Sequence, residues 1–333
     1  MNTACSKLVS SGLVLLALTA CGGGSGGSSS TAPGTVSFGV SDAPVDDLAK
    51  VVITIDGIEL QRKNDNCDVD SCDNQPVSID RLIGDEDTVT IDLLDYQGSD
   101  SKIVVENIEL EAGVYDQLRL SVIDEDINFS YVEEATGAIK LLKVPSGELK
   151  LGGFTVESGG VQVFVIEFDL RKAMTYNPGP ERYILKPRGV RVVEVETAAS
   201  IAGTVNTSLF DGAVPCDSKV DPTVGNVVYI YQGHDLDPAN LADNFNSSNP
   251  EANAPLDAID PYASQTVAAD GSYGIAYLPA GNYTLAFSCE AGDDDPEIYN
   301  GIVIPSPASE IVELSLSEGE SESCNLPVEN GDC

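Results

Sequence analysis

The first half of the chain alternates apolar and polar residues in short runs. Residues 88–93 and 117–122 follow this period-two pattern, which is typical of strands with one buried face. In residues 51–60 the apolar positions change from odd to even at Asp56-Gly57, which predicts a β-bulge because glycine accepts unusual backbone angles. Residues 161–168 are apolar on both parities, so we expect a central, fully buried strand there. No window of helical length carries a clean 3.6-residue period.

The strand pattern restarts near Ala198. Residues 201–205, 227–231 and 282–287 read as further short strands, and many short strands at regular spacing favour β-sandwiches. We therefore predict an all-β protein with two β-sandwich domains in tandem, at residues 35–197 and 198–316, followed by an acidic, Cys-containing tail at 317–333. Residues 234–261 are rich in Asp, Asn, Pro and Ala, which predicts a long surface loop that could hold one short helix.

The N-terminal segment has the features of an export signal. Lys7 precedes an apolar run of about 8 residues, which fits a signal peptide and is far short of the ~20 needed to span a bilayer. The sequence Leu18-Thr19-Ala20-Cys21 resembles a bacterial lipobox. This resemblance implies cleavage after residue 20, a lipid on Cys21 and, with Gly22 next, sorting to the outer membrane, facing the periplasm or the cell surface. The alternative is an ordinary signal peptide with a chance cysteine.

Residues 21–34 are rich in Gly and Ser, as a flexible tether requires. Their composition buries no core. After residue 21 no run of eighteen apolar residues occurs, so the sequence predicts no later membrane span.

The chain is strongly acidic, with a formal charge of −37 from 54 acidic and 17 basic side chains. Such a surface repels phosphate backbones, so we expect no nucleic-acid partner. The acidity is compatible with solubility in a salty medium, with cation binding or with steering of basic partners. The acids are spread along the whole chain, which favours the first of these explanations.

The cysteine count predicts disulfides. With Cys5 in the signal and Cys21 lipidated, an even number remains in an exported chain. Six cysteines allow 15 pairings, and proximity along the chain favours Cys67–Cys72, Cys216–Cys289 and Cys324–Cys333. A zinc site is disfavoured, because the cysteines lack paired C-x-x-C spacing and His234 is the only histidine.

Acidic residues crowd around the first cysteine pair. A disulfide there would hold carboxylate oxygens close together, which suits Ca²⁺, so we predict at most a weak calcium site. Its candidate ligands are Asp65, Asp68, Asp70 and Asp73. A second acidic cluster lies at residues 293–295, and neither cluster follows the EF-hand pattern. The alternative is an acidic loop exposed to solvent, and no other cofactor is expected.

Five segments of the first predicted domain resemble a bacterial lipoprotein family, the domain of unknown function 4382. They are residues 36–44, 51–55, 91–94, 112–120 and 184–187. This family has no settled activity, so the resemblance implies a fold and an envelope location only.

The second predicted domain resembles carboxypeptidase-regulatory-like modules, which share the carbohydrate-binding-like sandwich fold. Residues 201–205, 270–275 and 278–285 carry the resemblance. In physical terms Asp270-Gly271 predicts a tight hairpin turn, and we expect the Tyr283 hydroxyl to bond a nearby backbone group. The implied link to carbohydrate is an analogy between folds.

No residue set stands out as catalytic. Two formal glycine motifs around Ser25 lie in the tether, without the strand and helix that such motifs need. His234 is expected to be a solvated loop residue, and none of the many acids is singled out as a glycosidase pair. Hydrolase is therefore the least favoured class.

The leading hypothesis is a non-catalytic, lipid-anchored envelope protein that presents its sandwiches for binding. A carbohydrate-binding module is the first alternative. Because the chain lacks Trp, its sugar-stacking surface would use tyrosines, and Tyr229 and Tyr231 are the candidates. A structural or adhesive subunit that adds strands to a surface protein is the second alternative.

Overall fold

The computed structural model describes residues 32–43, 48–63, 75–212, 214–328 and 333. The described chain is all-β, as predicted. Residues 34–194 form the strands β1 Gly34–Ala43, β2 Leu48–Arg62, β3 Val77–Ile79, β4 Val89–Asp92, β5 Lys102–Leu110, β6 Gly113–Val122, β7 Tyr131–Glu134, β8 Ile139–Lys143, β9 Glu148–Leu151, β10 Phe154–Val156, β11 Val161–Asp169, β12 Met174–Asn177, β13 Arg182–Leu185 and β14 Val190–Glu194.

These strands form the two sheets of a first sandwich. The smaller sheet has the order β14-β11-β1-β5, and β1 and β11 run parallel. The larger sheet has the order β10-β6-β2-β7-β8-β13-β12, with β3 and β4 paired to β2 and β9 paired to β6. Strand β11 lies between two neighbours and is buried along most of its length. This confirms the central strand that was predicted from its unbroken apolar run.

The bulge in β2 lies where the change of phase predicts it. The register between β2 and β6 shifts between Ile55 and Gly57, so apolar residues on both sides of the shift stay in the core. Aromatic rings fill the centre of this core. The ring centroid of Phe154 lies 4.7 Å from that of Phe164 and 5.2 Å from that of Tyr115.

Residues 199–323 form a second sandwich. Its strands are β15 Ala199–Thr204, β16 Val227–Gln232, β17 Ala263–Thr266, β18 Ser272–Leu278, β19 Gly281–Ser288, β20 Ile311–Leu316 and β21 Ser321–Ser323. One sheet has the order β18-β15-β21 and the other the order β17-β16-β19-β20. The two sandwiches share no strand, and the change from one to the other falls between Glu194 and Ala199.

The acidic tail is more structured than its composition predicts. Its residues 321–323 form β21, which pairs in parallel with β15, and both Cys324 and Leu326 are buried in the core of the second sandwich. A Cβ on Gly203 would lie 1.6 Å from the carbonyl oxygen of Cys324, so only glycine lets the tail pass this close. The tail is acidic overall, so its sequence gives no sign that the apolar residues Cys324 and Leu326 pack in the core.

Of two local predictions for the second sandwich, one is confirmed and one is only partly right. A turn forms at Asp270-Gly271 as predicted, but it is not a hairpin, because it connects β17 and β18, which lie in different sheets. Gly271 has a φ of +87° in the turn before β18, a conformation that glycine adopts without strain. The hydroxyl of Tyr283 donates a 2.6 Å hydrogen bond to the carbonyl of Pro279. Tyr115 makes the same contact, four residues back, to Glu111 in the first sandwich.

Helical segments are short. The α-helix α1 spans Leu170–Ala173, and single 3₁₀ turns span Ile83–Asp85, Leu93–Asp95, Pro145–Gly147, Thr207–Leu209, Cys216–Ser218 and Pro238–Asn240. The helices in the described part of the chain are all too short or too polar to span a bilayer.

Residues 234–261 are irregular, with one 3₁₀ turn at Pro238–Asn240. They do not form a solvated loop throughout, because residues 241–245 are buried against the second sandwich. A bridge joins Leu241 to Ile259 and closes the segment on itself.

Two of the predicted disulfides are present. Cys216 bonds Cys289 across 73 residues, and Cys324 bonds Cys333 across 9 residues. The third predicted pair, Cys67–Cys72, lies outside the described residues.

A buried ion pair joins the two sandwiches. Arg171 of α1 reaches into the second sandwich, where its guanidinium lies 3.2 Å from the carboxylate of Asp294. The two side chains are only 6% and 1% exposed. The same carboxylate accepts hydrogen bonds from the hydroxyl of Tyr229 and from both nitrogens of Asn244, so both oxygens of the buried anion are hydrogen-bonded.

Further contacts fix the same junction. The Asp169 carboxylate accepts from the backbone N–H of Ser264, and the Tyr277 hydroxyl donates to the carbonyl of Ser99. Beside them, Val165 packs against Tyr277 and Ala276 in a small apolar cluster. Because these partners come from both sandwiches, the junction holds them as one compact unit, which spans Thr31–Cys333.

We predict that Cys216→Ala with Cys289→Ala destabilises the fold more than Cys324→Ala with Cys333→Ala. Loop-closure entropy alone gives about 4 kcal/mol for the long loop and about 3 kcal/mol for the short one. Urea unfolding of both double variants under non-reducing conditions measures this difference. Equal losses, or a larger loss for the short loop, would contradict it.

We also predict that Arg171→Met lowers the free energy of unfolding by about 3–5 kcal/mol, because it leaves the buried Asp294 without its cation. Arg81→Met is the matched control. Arg81 lies 2.8 Å from Asp87, but both side chains are mostly exposed, so its loss costs less than about 1 kcal/mol. Urea unfolding distinguishes the two, and similar losses would show that the junction pair is not critical.

Candidate functional site

Basic residues are unevenly distributed along the chain. Residues 171–191 contain six of the 17 Lys and Arg residues, whereas residues 198–333 contain Lys219 alone against 22 acidic side chains. The acids are spread along the whole chain, but the cations are not. Their concentration in twenty-one residues is the signal that could have located the site described next.

Four of these cations line a cleft between the two sandwiches. Its volume is about 670 Å³, which lies within the range of ~300–1,000 Å³ usual for small-molecule sites. The first sandwich contributes Pro145, Lys172, Lys186, Pro187, Arg188, Gly189 and Arg191, and the second contributes Asn246, Ser247, Ser248, Asp260 and Tyr262. The cleft is therefore complete only when the sandwiches are docked.

Local structure positions the first of these cations. The Asp169 side chain caps α1 by accepting from the backbone N–H of Lys172, which turns the chain at the end of β11. Gly189 has a φ of +86°, and a Cβ there would lie 2.8 Å from the Cβ of Lys172. Only glycine therefore lets the turn before β14 pass over α1, which brings Arg188 and Arg191 beside Lys172.

Each cation of the cleft contacts the second sandwich. Lys172 lies 2.8 Å from the carboxylate of Asp260 and donates to the carbonyl of Pro261. Arg191 donates to the carbonyl of Tyr262 at 3.1 Å. These bonds hold the ammonium and guanidinium groups at the wall of the cleft.

Lys186 and Arg188 share a single carboxylate. Glu297 lies 2.9 Å from the ammonium of Lys186 and 3.7 Å from the guanidinium of Arg188. Arg188 otherwise donates to neutral acceptors, the carbonyls of Phe245 and Pro296. Two positive charges therefore face one negative charge, with both cations about a quarter exposed.

Burial dominates the electrostatics behind the cleft. It raises the pKa of Glu167 to about 7, even though Arg191 donates to this carboxylate and opposes the rise. Burial likewise raises the pKa of Asp169 and lowers the pKa of Arg188. The charged groups at the floor of the cleft are therefore stable only as ion pairs, because burial disfavours each charge alone.

Tyr262 separates the cleft from a second pocket of about 560 Å³, and Arg191 also lines both. The guanidinium of Arg191 lies 4.7 Å from the centre of the Tyr262 ring. The ring is half-buried, and its hydroxyl has no hydrogen-bond partner among the described residues. The second pocket is lined by β14, by Pro279-Ala280 and by the acids Glu194 and Glu318.

The expectation that Tyr229 and Tyr231 are exposed is wrong. Both are fully buried, and their hydroxyls bond to Asp294 and to the carbonyl of Ala242. Burial raises the pKa of both tyrosines well above its usual value. The reason is that β16 is an inner strand whose outer face is covered by residues 241–245, so neither ring can stack on a sugar.

The other sequence candidates are placed as follows. His234 is half-buried and its Nε2 lies 2.8 Å from the carbonyl oxygen of Leu314, so it is not the freely solvated residue expected. Within the acidic cluster at 293–295, Asp294 points inward to Arg171. Among the described residues no group of three or more His, Cys, Asp or Glu side chains is arranged to hold a metal ion.

The remaining candidates lie outside the described residues. They are the lipidation candidate Cys21, the cysteines Cys67 and Cys72, and the weak calcium candidates Asp65, Asp68, Asp70 and Asp73. They stay predictions.

Several solved structures show a distant similarity. The Bacillus anthracis TIE protein is 12% identical with a TM-score of 0.20, and the match covers 89% of this chain but only 34% of that protein. The minor pilin GBS52 of Streptococcus agalactiae is 9% identical, with a TM-score of 0.19 and coverage of 87% and 94%. The shaft pilin SpaA of Lactobacillus rhamnosus GG is 10% identical, with a TM-score of 0.21 and coverage of 89% and 96%. At these scores we draw no functional argument from the similarity.

Comparison with curated proteins gave no match. Comparison with family models gave one match, which covers the larger part of the first sandwich. It ends at Pro187, at the turn that brings Arg188 into the cleft, so the second sandwich lies outside it. Residues 33–187 match the family model described as a domain of unknown function, DUF4382.

Proposed function

We propose that this chain is a non-catalytic, lipid-anchored envelope protein that binds a glycan in the cleft between its two sandwiches. The observation that carries the proposal is the cleft itself. It gathers Lys172, Lys186, Arg188 and Arg191 into one concave site of a chain whose formal charge is −37. Concave sites with a few convergent polar groups are where proteins bind small ligands.

The groups around the cleft support binding more than chemistry. Ser247 and Ser248 supply hydroxyls, but the only histidine of the chain, His234, bonds the carbonyl of Leu314 instead. A serine nucleophile needs an adjacent base, and the lining groups of that kind are already engaged: Asp260 lies 2.8 Å from Lys172, and Lys186 lies 2.9 Å from Glu297. The lining lysines and arginines are held in ion pairs, which suits recognition of a fixed ligand.

The junction also supports a binding role, because it fixes the cleft before any ligand arrives. The buried pair of Arg171 and Asp294 connects the two walls, so little conformational freedom remains to be lost on binding. A ligand would meet side chains that are already oriented by their bonds to Asp260, Glu297 and backbone carbonyls.

The alternative of an adhesive subunit that grows by strand addition has less support. Edge strands β12, β14 and β17 are four or five residues long and offer few free backbone groups. Of the other edge strands, β20 has six residues, and β18 has seven and packs against Val165 of the first sandwich. The longer edge strand β5 carries Lys102, Glu106 and Glu109. Its extended conformation is interrupted at Asn107, where φ is +51°. Charge and irregularity of this kind protect sheet edges from pairing.

The anchor follows from the lipobox-like sequence before Cys21 and from the tether behind it. Three acyl chains on one cysteine would hold the protein stably at a membrane, whereas one chain holds only marginally. A tether of Gly and Ser would leave the two sandwiches free to reach ligands away from the lipid surface.

We predict that the full chain, expressed in a bacterium fed an alkyne-tagged fatty acid, becomes labelled and fractionates with the outer membrane. Cys21→Ser should abolish labelling, because the thioether forms on that sulfur. Cys5→Ser is the control and should label normally. Labelling that persists in the Cys21 variant, or an unlabelled native chain, would overturn the anchor.

We predict that residues 31–333 bind glycans on an array of envelope and extracellular polysaccharides and release no product from them. Binding is read by fluorescence, and incubated ligands are examined by mass spectrometry for cleavage. Cleaved products would refute the non-catalytic role. Silence across the array would refute glycan binding.

A further inference from the structure

We infer that the cleft selects an acidic saccharide, and that the carboxylate of the sugar binds between Lys186 and Arg188. This inference rests on the proposed function and narrows it to one class of ligand. It is carried by the juxtaposition of two partly exposed cations that share one carboxylate, Glu297.

The shared carboxylate leaves the mouth of the cleft electropositive. Glu297 is closer to Lys186 than to Arg188, and the other acceptors of the Arg188 guanidinium are uncharged carbonyls. Asp260 also acts on Arg188, but its carboxylate is paired with Lys172 at 2.8 Å. Lys186 and Arg188, whose donors already have fixed positions, therefore have a single carboxylate between them, Glu297. A ligand carboxylate placed there would accept charge-assisted hydrogen bonds, which are about twice as strong as neutral ones.

The rest of the lining suits a hydroxylated ligand better than a peptide or a lipid. Among the described residues that line the cleft, the prolines are the only aliphatic side chains. Ser247 and Ser248 present hydroxyl groups instead, while the amide of Asn246 is bonded to Glu297 and to the backbone N–H of Ser248. Peptide-binding grooves and lipid pockets are usually lined by apolar side chains, whereas these groups exchange hydrogen bonds with sugar hydroxyls.

Tyr262 extends the argument to more than one sugar ring. It is half-buried, its hydroxyl has no described hydrogen-bond partner, and it lines both the cleft and the adjoining pocket. A saccharide that passes over Tyr262 would have its acidic unit beside Lys186 and a further unit against Pro279-Ala280. The acids Glu194 and Glu318 of that second pocket disfavour a second negative charge there.

The acidity of the whole chain limits the ligand but does not prevent its binding. At 0.15 M salt, exposed charges are screened beyond about 8 Å, so a short acidic saccharide is governed by the nearest groups. A long polyanion would also meet the surrounding negative surface and be repelled. The cleft should therefore favour isolated carboxylates over densely charged polymers.

The test compares two forms of one oligosaccharide by calorimetry with residues 31–333 in 150 mM NaCl. Oligogalacturonate carries free carboxylates, and its methyl-esterified form has the same rings without the charge. We expect the free acid to bind at least about tenfold more tightly, the effect of one charge-assisted contact. Equal affinity for the two forms would overturn the inference.

Two variants with opposite expected signs separate recognition from a structural role. Glu297→Gln removes the competing carboxylate and should strengthen binding of oligogalacturonate several-fold, whereas Lys186→Gln should weaken it about tenfold. Lys143→Gln is the matched control, because Lys143 lies 2.9 Å from Glu125 and is similarly exposed, but is not part of the cleft. Thermal melting confirms that each variant is folded. If Glu297→Gln and Lys186→Gln both weaken binding, the two residues act only in holding the cleft together and the inference fails.

Binding of dextran sulfate, a densely charged polyanion, is measured in the same way to test the preference for isolated carboxylates. Weaker binding of this dense polyanion than of oligogalacturonate would support the inference, and stronger binding would overturn it. If neutral glycans bind the array but oligogalacturonate does not bind in calorimetry, the inference fails while the proposed function stands. If no glycan binds at all, both fail.

Discussion

The ion pair between Arg171 and Asp294 is the constraint on which the rest of this structure depends. Two charges removed from water carry a desolvation cost of several kcal/mol each, which only close pairing and further hydrogen bonds offset. Tyr229 and Asn244 supply those bonds to Asp294. Because the cation comes from one sandwich and the anion from the other, neither side chain can be buried in this way unless the sandwiches dock.

Docking in turn determines where the neighbouring charges lie. Arg171 belongs to a helix of four residues, so Lys172 is placed beside it, and the turn at Gly189 returns the chain over the same helix. Arg188 and Arg191 then face the second sandwich at its loop 241–262. The cleft is therefore a consequence of the junction, since its two walls carry complementary groups that meet only when the sandwiches are docked.

The sequence predicted the elements better than their surroundings. The apolar runs located β2, β4, β6, β11, β15, β16 and β19, which are fewer than half of the described strands. The change of phase located the bulge at Gly57, because it too is read from neighbouring residues. Tyr229 and Tyr231 were misjudged because alternation within β16 does not show that residues 241–245 cover its outer face. Strand β21 was missed because three polar residues dock through apolar positions that follow them, Cys324 and Leu326. For the cleft, the cations of residues 171–191 mark one wall in the sequence. No local pattern shows which segment faces them, because the two walls are separated by more than fifty residues.

Charge, which the sequence does display, connects the junction to the site. The second sandwich has 22 acidic residues and one lysine in residues 198–333, so almost any docking surface it offers is negative. A partner sandwich must bring cations to that surface, and residues 171–191 do so. The compensation is complete at the buried centre, where Arg171 meets Asp294, and incomplete at the rim, where Lys186 and Arg188 share Glu297. Buried charges must be paired, but solvent tolerates an excess at the rim, and that excess is what a ligand carboxylate can use.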